Sequence, residues 1–358
     1  EKEAVAAIAG MFGWGARHLG HLSSAGTAAN LEALWVAGRL HPGRQIAASV
    51  QAHYTHARLT EVLQIPFAPI AVDPHARMDI DDLERRLRSG EIGTVVATLG
   101  TTGGGSVDPL DDIMRLRRRY DFRVHVDAAY GGYFHLADNL APDARRAFDG
   151  IGAADSIVVD PHKHGLQPYG CGCVLFRDPA VGAIYRHDSP YTYFTSADLH
   201  LGEISLECSR AGASAVALWA TQQLLPMAPG GEFARGLEHC RAAALKWHQQ
   251  RAADPRDLTL FEPELDIVLW APRANNASAV SRLSQAVFDA CARAGLHLAV
   301  MRLPAELLRA HWPRVEFDCD TVTVLRSCMM KAEHLQWLER IESVYRRARD
   351  CVDESAES

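Results

Sequence analysis

Val124-His125-Val126-Asp127-Ala128-Ala129-Tyr130-Gly131-Gly132 and Asp155-Ser156-Ile157-Val158-Val159-Asp160-Pro161-His162-Lys163-His164-Gly165 form the stretch whose reading decides the fold. Each segment begins as a short apolar strand. The first delivers a carboxylate, Asp127, at its end, followed by alanines and glycines that leave room for something flat and bulky. The second delivers a lysine, Lys163, just past a proline. A solitary acid and a solitary lysine at neighbouring strand ends are costly in a core unless a ligand uses both.

Outward from this stretch, strands alternate with helices. Apolar strands are predicted over 46–50, 65–72, 93–100 and 124–127, with helices over 55–63, 79–87 and 110–119 between them. Strands that are apolar throughout and alternate with helices predict an α/β fold whose mostly parallel sheet is covered on both faces. In such sheets ligands sit at the carboxyl ends of the strands. His53, Thr102, Asp127 and Lys163 all fall just after predicted strand ends, and their agreement says more than any one of them.

A helix over 210–225 is closed by Pro226 and the Pro229-Gly230-Gly231 punctuation, which sets the expected boundary. Residues 1–228 are expected to form the large domain and 229–350 a smaller α+β domain. In the latter, helices are predicted over 232–251, 280–294 and 333–349, and strands over 258–261, 266–270, 298–301 and 321–325. The remainder, 351–358, is an acidic tail. Residues 187–196, His-Asp-Ser-Pro-Tyr-Thr-Tyr-Phe-Thr-Ser, are too irregular for strand or helix and read as a loop.

Composition narrows the class. With 358 residues, 48% hydrophobic and 23% charged, the chain is long enough for one large and one smaller core. A net charge of −7 without a basic block argues against a nucleic-acid binder. No apolar run approaches membrane-spanning length and no secretory pattern opens the chain. The cysteines are scattered, and Cys171-Gly172-Cys173 has the wrong spacing for a zinc knuckle, so reduced thiols and a cytoplasmic location are expected. The sequence opens inside a predicted helix over 1–11, so a segment upstream of Glu1 is expected to be missing.

His21-Leu22-Ser23-Ser24-Ala25-Gly26-Thr27 reads as a small-residue turn that opens an Ala- and Leu-rich helix. Its exposed N–H groups suit an anion, although a plain helix cap explains the same residues. Pyridoxal phosphate needs a lysine for its aldehyde, an acid beside its pyridine nitrogen, a flat partner for its ring and a cradle for its phosphate. Lys163, Asp127, His53 and Gly26/Thr27 with Ser156 suit those four roles. On the residues alone, Asp127 could equally cap a helix and Lys163 could lie along the surface. A zinc hydrolase using His125, Asp127, His162 and His164 is a rival, opposed by the alternation of these residues along strands. Thr101-Thr102-Gly103-Gly104-Gly105 lacks the Gly-Lys-Ser/Thr ending of a P-loop.

His125-Val-Asp-Ala-Ala-Tyr-Gly-Gly, Thr98-Leu-Gly-Thr-Thr, Asp155-Ser-Ile-Val-Val-Asp-Pro-His-Lys and Ser24-Ala-Gly-Thr-Ala-Ala-Asn-Leu resemble the group II pyridoxal-phosphate-dependent amino-acid decarboxylases. That family includes aromatic-amino-acid, tyrosine, glutamate and histidine decarboxylases, on the aspartate-aminotransferase-like (type I) fold. The resemblance runs from Glu1 to about Val344 and implies roles residue by residue. Lys163 matches the lysine that carries the cofactor, Asp127 the partner of the pyridine nitrogen, and His53 the histidine stacked on the ring. Thr102 matches a threonine near the 3′-oxygen and Ala129 the small residue under the ring. Gly26, Thr27 and Ser156 match phosphate contacts, and His162 the histidine before the lysine. Asp160 stands where several members carry an asparagine facing the phosphate, so a carboxylate there would repel the dianion unless it turns away.

The 187–196 loop matches the family's catalytic loop, whose tyrosine returns a proton after carbon dioxide leaves; Tyr191 and Tyr193 are both candidates. Arg326 is similar to the arginine that binds the substrate carboxylate. The resemblance further implies an L-amino-acid substrate and a homodimer with a shared active site, and the aromatic residues of the loop favour a tyrosine-like substrate before an acidic one. Transamination or carbon–carbon lysis are the alternative reactions of the same cofactor. The family's usual segment ahead of Glu1 is expected to help build the dimer and line the substrate pocket.

Overall fold

The structure, a computed structural model, describes residues 1–186 and 205–357, the last three by backbone alone. Tyr191 and Tyr193 lie outside the described residues. The chain separates into two compact units. The first comprises residues 1–72, 77–102 and 107–235; the second comprises 73–76, 103–106 and 236–358.

The first unit is built on a seven-stranded sheet of β1 (Leu19–Ser23), β2 (Gln45–Ser49), β3 (Phe67–Ile70), β4 (Ile92–Thr98), β5 (Arg123–Asp127), β6 (Ser156–Val159) and β7 (Gly172–Phe176). Their order across the sheet is β1-β7-β6-β5-β4-β2-β3. The central pairings from β3 to β6 are parallel, and β7 joins both β6 and β1 antiparallel. β4 is buried at all seven positions, which explains its continuous Ile-Gly-Thr-Val-Val-Ala-Thr run: a strand covered on both faces has no polar side to show. Each buried valine there contributes roughly 1.5–3 kcal/mol by leaving water.

Two helices border the ligand edge, α2 (Gly26–Leu40) and α3 (Thr55–Val62), while α1 (Lys2–Met11) packs beside β1. α2 packs Ala29, Ala33 and Val36 against Val158 and Val174 of the sheet, so its small residues bring its axis close to β6 and β7. Its N-cap residue, Ala25, has no polar side chain to cap the first turn. By contrast α4 (Ile80–Leu87) starts on Asp79, whose carboxylate accepts from the Asp82 N–H, and carries arginines in its last turn, as the helix dipole favours.

β1 departs from expectation, because residues 21–27 read as a turn in the sequence, whereas residues 19–23 form an edge strand. Its antiparallel register, Leu19↔Phe176 to Ser23↔Gly172, is set by a partner 149 to 157 residues away in the sequence. A helix at Pro142–Asp149 was also not anticipated; it is rich in charged residues and starts on a proline, which suits a first helical position.

The second unit holds a separate antiparallel sheet ordered β10 (Ala299–Pro304), β11 (Thr321–Cys328), β9 (Ile267–Pro272), β8 (Asp257–Thr259). The helices Ala277–Arg293 and His334–Glu357 cover it with a core of Trp247, Trp270, Val287, Leu325, Leu338 and Tyr345. A mostly parallel sheet in one unit and a small α+β unit beside it in sequence agree with the expected class. The first unit runs on to Arg235, and two short segments, 73–76 and 103–106, count with the second. Among the described residues, no helix is long and apolar enough to cross a membrane.

Candidate active site

The carboxyl ends of β2, β4, β5 and β6 open on a cavity of about 260 Å³ within the first unit. It is smaller than the roughly 300–1,000 Å³ common for drug-sized ligands, so it suits a single small ring rather than a dinucleotide. Lys163, Asp127, His53 and Thr102 line it together with Gly26, Thr27, Ala129 and His162.

Asp127 is the last residue of β5 and is buried. Its Oδ2 accepts a 2.7 Å hydrogen bond from His56 Nε2, and its Oδ1 accepts the Ala129 N–H at 3.1 Å. Burial alone would raise this carboxyl. The hydrogen bond and attraction of His56, then Lys163 and His125, outweigh burial and hold Asp127 well below the usual carboxylate range. An acid kept ionised with lone pairs still open suits a ring N–H.

His56 was not anticipated as a functional residue. It follows His53 by three residues, inside the first turn of α3, and the helix turns it under β5. An imidazole at a buried phase of a short helix beside a cavity histidine was its only signal in the sequence. Its Nδ1 is buried without a hydrogen-bond partner among the described residues, so its contact with Asp127 is its one polar anchor.

His53 lines the cavity half-buried, in the loop after β2. Its Nδ1 accepts the Thr55 N–H at 3.3 Å and lies 2.8 Å from the Thr55 hydroxyl, which leaves the ring proton on Nε2. Burial lowers its pKa; Asp127 opposes this, while Lys163 and His56 add to it. The result is a neutral flat ring.

β6 ends at Val159, and Asp160-Pro161-His162-Lys163 then turns sharply. Pro161 has no N–H to continue the ladder, the Lys163 N–H donates to Asp160 O at 2.9 Å, and Gly165 closes the turn. A Cβ on Gly165 would lie 2.6 Å from Pro161 Cα, so only glycine fits there. The turn directs the Lys163 Nζ to 2.9 Å from Asp160 Oδ2. His162 is fixed by its Nδ1, 2.7 Å from the Cys171 carbonyl, and its ring lies 4.9 Å from that of Tyr169.

Gly26 begins α2 at the cavity. A Cβ there would lie 2.5 Å from Asp160 Oδ2, so the helix start and this carboxylate are packed in contact. Gly26 and Thr27 therefore present to the cavity a helix N-terminus that its N-cap side chain leaves uncapped, with the first-turn N–H groups and dipole that suit an anion.

Two expectations meet a different placement. Ser156 does not line the cavity. It stands at the start of β6, in register with His125 rather than with Asp127, and its hydroxyl lies 2.8 Å from His125 Nδ1. A residue at the level of His125 is below the ligand edge, so the phosphate contact expected of Ser156 is corrected to a supporting one. His125 Nε2 in turn lies 2.8 Å from Asn30 Oδ1, and Asn30, which was not anticipated, does line the cavity. Arg326 belongs to the second unit, paired with Ala299 and donating from Nε to the Gly103 carbonyl at 2.9 Å.

The zinc alternative loses its ligands in this geometry. His125 already uses both ring nitrogens, and His164 Nδ1 lies 2.9 Å from the Tyr130 carbonyl. Among the described residues, no group of three or more His, Cys, Asp and Glu side chains could hold a metal ion.

A family model described as the pyridoxal-dependent decarboxylase conserved domain matches residues 35–256. The chain belongs to this family. Among curated relatives, it is 32% identical over 226 residues to aspartate 1-decarboxylase of Aliivibrio fischeri, covering 54% of this chain and 40% of that protein. It is 31% identical over 217 residues to L-tyrosine decarboxylase of Enterococcus faecium, covering 49% and 36%. It is 31% identical over 254 residues to a probable L-tyrosine/L-aspartate decarboxylase of Methanocella arvoryzae, covering 70% and 64%. The chain thus spans 36% to 64% of the length of these relatives. Among solved structures, Oryza sativa TDC with PLP and tryptamine superposes with a TM-score of 0.79 at 19% identity, covering 97% of this chain and 76% of that one. Mouse CSAD gives 0.79 at 21% identity, covering 96% and 75%. At such identities these likenesses establish the fold, which is the type I fold of the family.

Proposed function

We propose that this cavity holds pyridoxal 5′-phosphate and that the protein decarboxylates an L-amino acid to the corresponding amine. One observation carries the reading: Lys163, an ionised Asp127 and a neutral His53 line a single small cavity that an uncapped helix N-terminus also enters. The donor set fits the cofactor part by part. Lys163 Nζ is the attachment point, Asp127 the acceptor for the ring N–H, His53 the ring's flat neighbour, and Gly26 and Thr27 the phosphate cradle. Thr102, Ala129 and His162 complete the wall.

When bound, the cofactor supplies an electron sink for a bond at the substrate's α-carbon. The chain's residues do the rest. Asp127, held charged by His56, keeps the ring nitrogen protonated. Ala129 and His53 would hold the ring, and the α-carbon bond oriented perpendicular to it would be the one the electron sink weakens. In decarboxylation the α-carboxylate leaves as carbon dioxide and one proton returns to the same carbon. Tyr191 or Tyr193, outside the described residues, is the proposed donor, and Arg326 the proposed carboxylate partner.

For the substrate, an aromatic, tyrosine-like amino acid is proposed, supported by the aromatic residues of the 187–196 segment. An acidic substrate is the second reading, favoured by the similarity to aspartate 1-decarboxylase. A homodimer with a shared active site and a cytoplasmic location complete the proposal. Purified protein supplied with the cofactor and a panel of L-amino acids should release carbon dioxide and one matching amine, tyramine for the first reading. Accumulation of a keto acid without amine would replace decarboxylation by transamination.

A further inference from the structure

Asp160 presents a conflict that the family reading leaves unresolved. The residue is only 2% exposed. Its Oδ2 takes the Lys163 ammonium at 2.9 Å and lies 3.7 Å from His162 Nε2, whereas its Oδ1 is buried with no hydrogen-bond partner among the described residues. Burial pushes this carboxyl up; Lys163 and His162 oppose the rise and Asp127 adds to it. Both oxygens lie against the first turn of α2, since a Cβ on Gly26 would be 2.5 and 2.8 Å from them. A carboxylate and the cavity's anion cradle therefore share one place.

Lys163 cannot relieve the conflict once it carries the cofactor, because an Nζ committed to that bond is no longer a free ammonium for Asp160. An ionised Asp160 would then face a phosphate dianion in a buried setting, with an oxygen already lacking a donor. A neutral carboxyl reverses the balance. Its O–H becomes a donor in a cradle otherwise made of backbone N–H groups, and an O–H donated to an anionic oxygen is among the stronger hydrogen bonds.

We propose that Asp160 takes up one proton from solvent as a phosphate group enters the cradle at Gly26 and Thr27, and donates it as an O–H···O hydrogen bond to a phosphate oxygen. Phosphate binding by this chain is thereby coupled to a proton, and Asp160 acts as a pH-dependent gate on cofactor loading. The inference rests on the cofactor reading above. The other groups facing Asp160 do not mimic the effect. Cys171 is pushed up to about 12 by burial, and Cys173 and Tyr133 are likewise raised by burial, so all three stay neutral near neutral pH. Asp127 stays ionised. Lys163 and His162 remain, and both face a phosphate-free ligand equally.

The test compares the full chain with Asp160→Asn, an isosteric change that keeps the contact with Gly26. Dissociation constants for pyridoxal phosphate and for pyridoxal are measured on both proteins by equilibrium dialysis, from about pH 6 to about pH 8.5. The expected result is that the wild-type constant for pyridoxal phosphate rises relative to that of Asp160→Asn by up to about tenfold per pH unit. The same ratio for pyridoxal should stay flat. A pH-independent ratio for pyridoxal phosphate would overturn the coupling. An equal trend with pyridoxal would assign it to the Lys163–Asp160 pair and overturn the phosphate contact. If neither protein bound pyridoxal phosphate at any pH, the cofactor reading itself would fall, a result distinct from the other two.

Discussion

Arg251 in the second unit and Lys163 in the first are both bases set against carboxylates, yet their surroundings differ in kind. Arg251 is 0% exposed. Its Nη1 donates to Asp257 Oδ2 at 2.8 Å and its Nη2 to Glu342, while its guanidinium lies 4.6 Å from the ring centre of Trp247 and 4.4 Å from that of Tyr345. The Tyr345 hydroxyl donates to the other oxygen of Asp257 at 3.0 Å and accepts the Trp270 Nε1–H at 3.0 Å. These groups touch one another directly. Around Lys163 the acids and imidazoles instead border an open space. Close packing of acid, base and aromatic rings marks structure. The same residue types arranged around a gap mark a place for a ligand.

The comparison breaks most visibly if the second cluster is not structural. Arg251→Ala leaves Asp257 and Glu342 without the buried guanidinium between them and should cost about 3–5 kcal/mol in denaturant unfolding. Arg251→Met, which refills the slot between Trp247 and Tyr345, should cost less. Neither should change the cofactor affinity of the folded fraction. An Arg251→Ala protein as stable as the parent would remove the distinction.

Asp127→Asn sharpens the other side of the comparison. Replacing a charged acceptor with a neutral one removes about 1.5–3 kcal/mol of hydrogen bonding to a ring N–H, so cofactor affinity should fall about tenfold to a hundredfold. His56→Phe, which withdraws the donor to Oδ2, should weaken binding in the same direction by less. Titration with pyridoxal phosphate measures both, and an unchanged constant in Asp127→Asn would separate the carboxylate from the ring.

A smaller effect distinguishes the supporting layer below the cavity. Burial pushes His125 down to about 3. Its unfolded value is about 6.5, so between these limits the unfolded chain binds a proton that the folded chain does not. His125 therefore contributes stability that is fully present above about pH 6.5 and is lost as pH falls towards about 3, by about 1.4 kcal/mol per pH unit. His125→Gln should flatten that dependence by the same slope. Unfolding curves of both proteins at several pH values check it; parallel curves would mean that His125 is protonated in the fold.

These contrasts also explain what was legible before the structure. The central strands could be read because double-sided burial leaves an unbroken apolar run, as in Ile92–Thr98. Asp127, His53, Thr102 and Lys163 could be placed because each follows such a run, and strand ends in a parallel sheet share one edge. Leu19–Ser23 was hidden because Gly20, His21 and Ser23 resemble a turn, and only pairing with β7 makes them a strand. Ser156 was misplaced for a related reason: its neighbours carry a ligand motif, but the β5–β6 register puts it level with His125. His56 and Asn30 needed the packing of α3 and α2 against the sheet, which periodicity does not report. Arg251 carried no motif, and its role emerges only where residues 251–257 meet the distant Glu342.

The most direct measurement of the central claim is borohydride reduction of the protein loaded with pyridoxal phosphate, followed by peptide mass mapping. The account predicts a visible absorbance band that reduction bleaches, a single reduced pyridoxyl adduct on Lys163, and neither in Lys163→Ala. An adduct on Lys2, Lys246 or Lys331 in its place, or no band with the cofactor in excess, would contradict it.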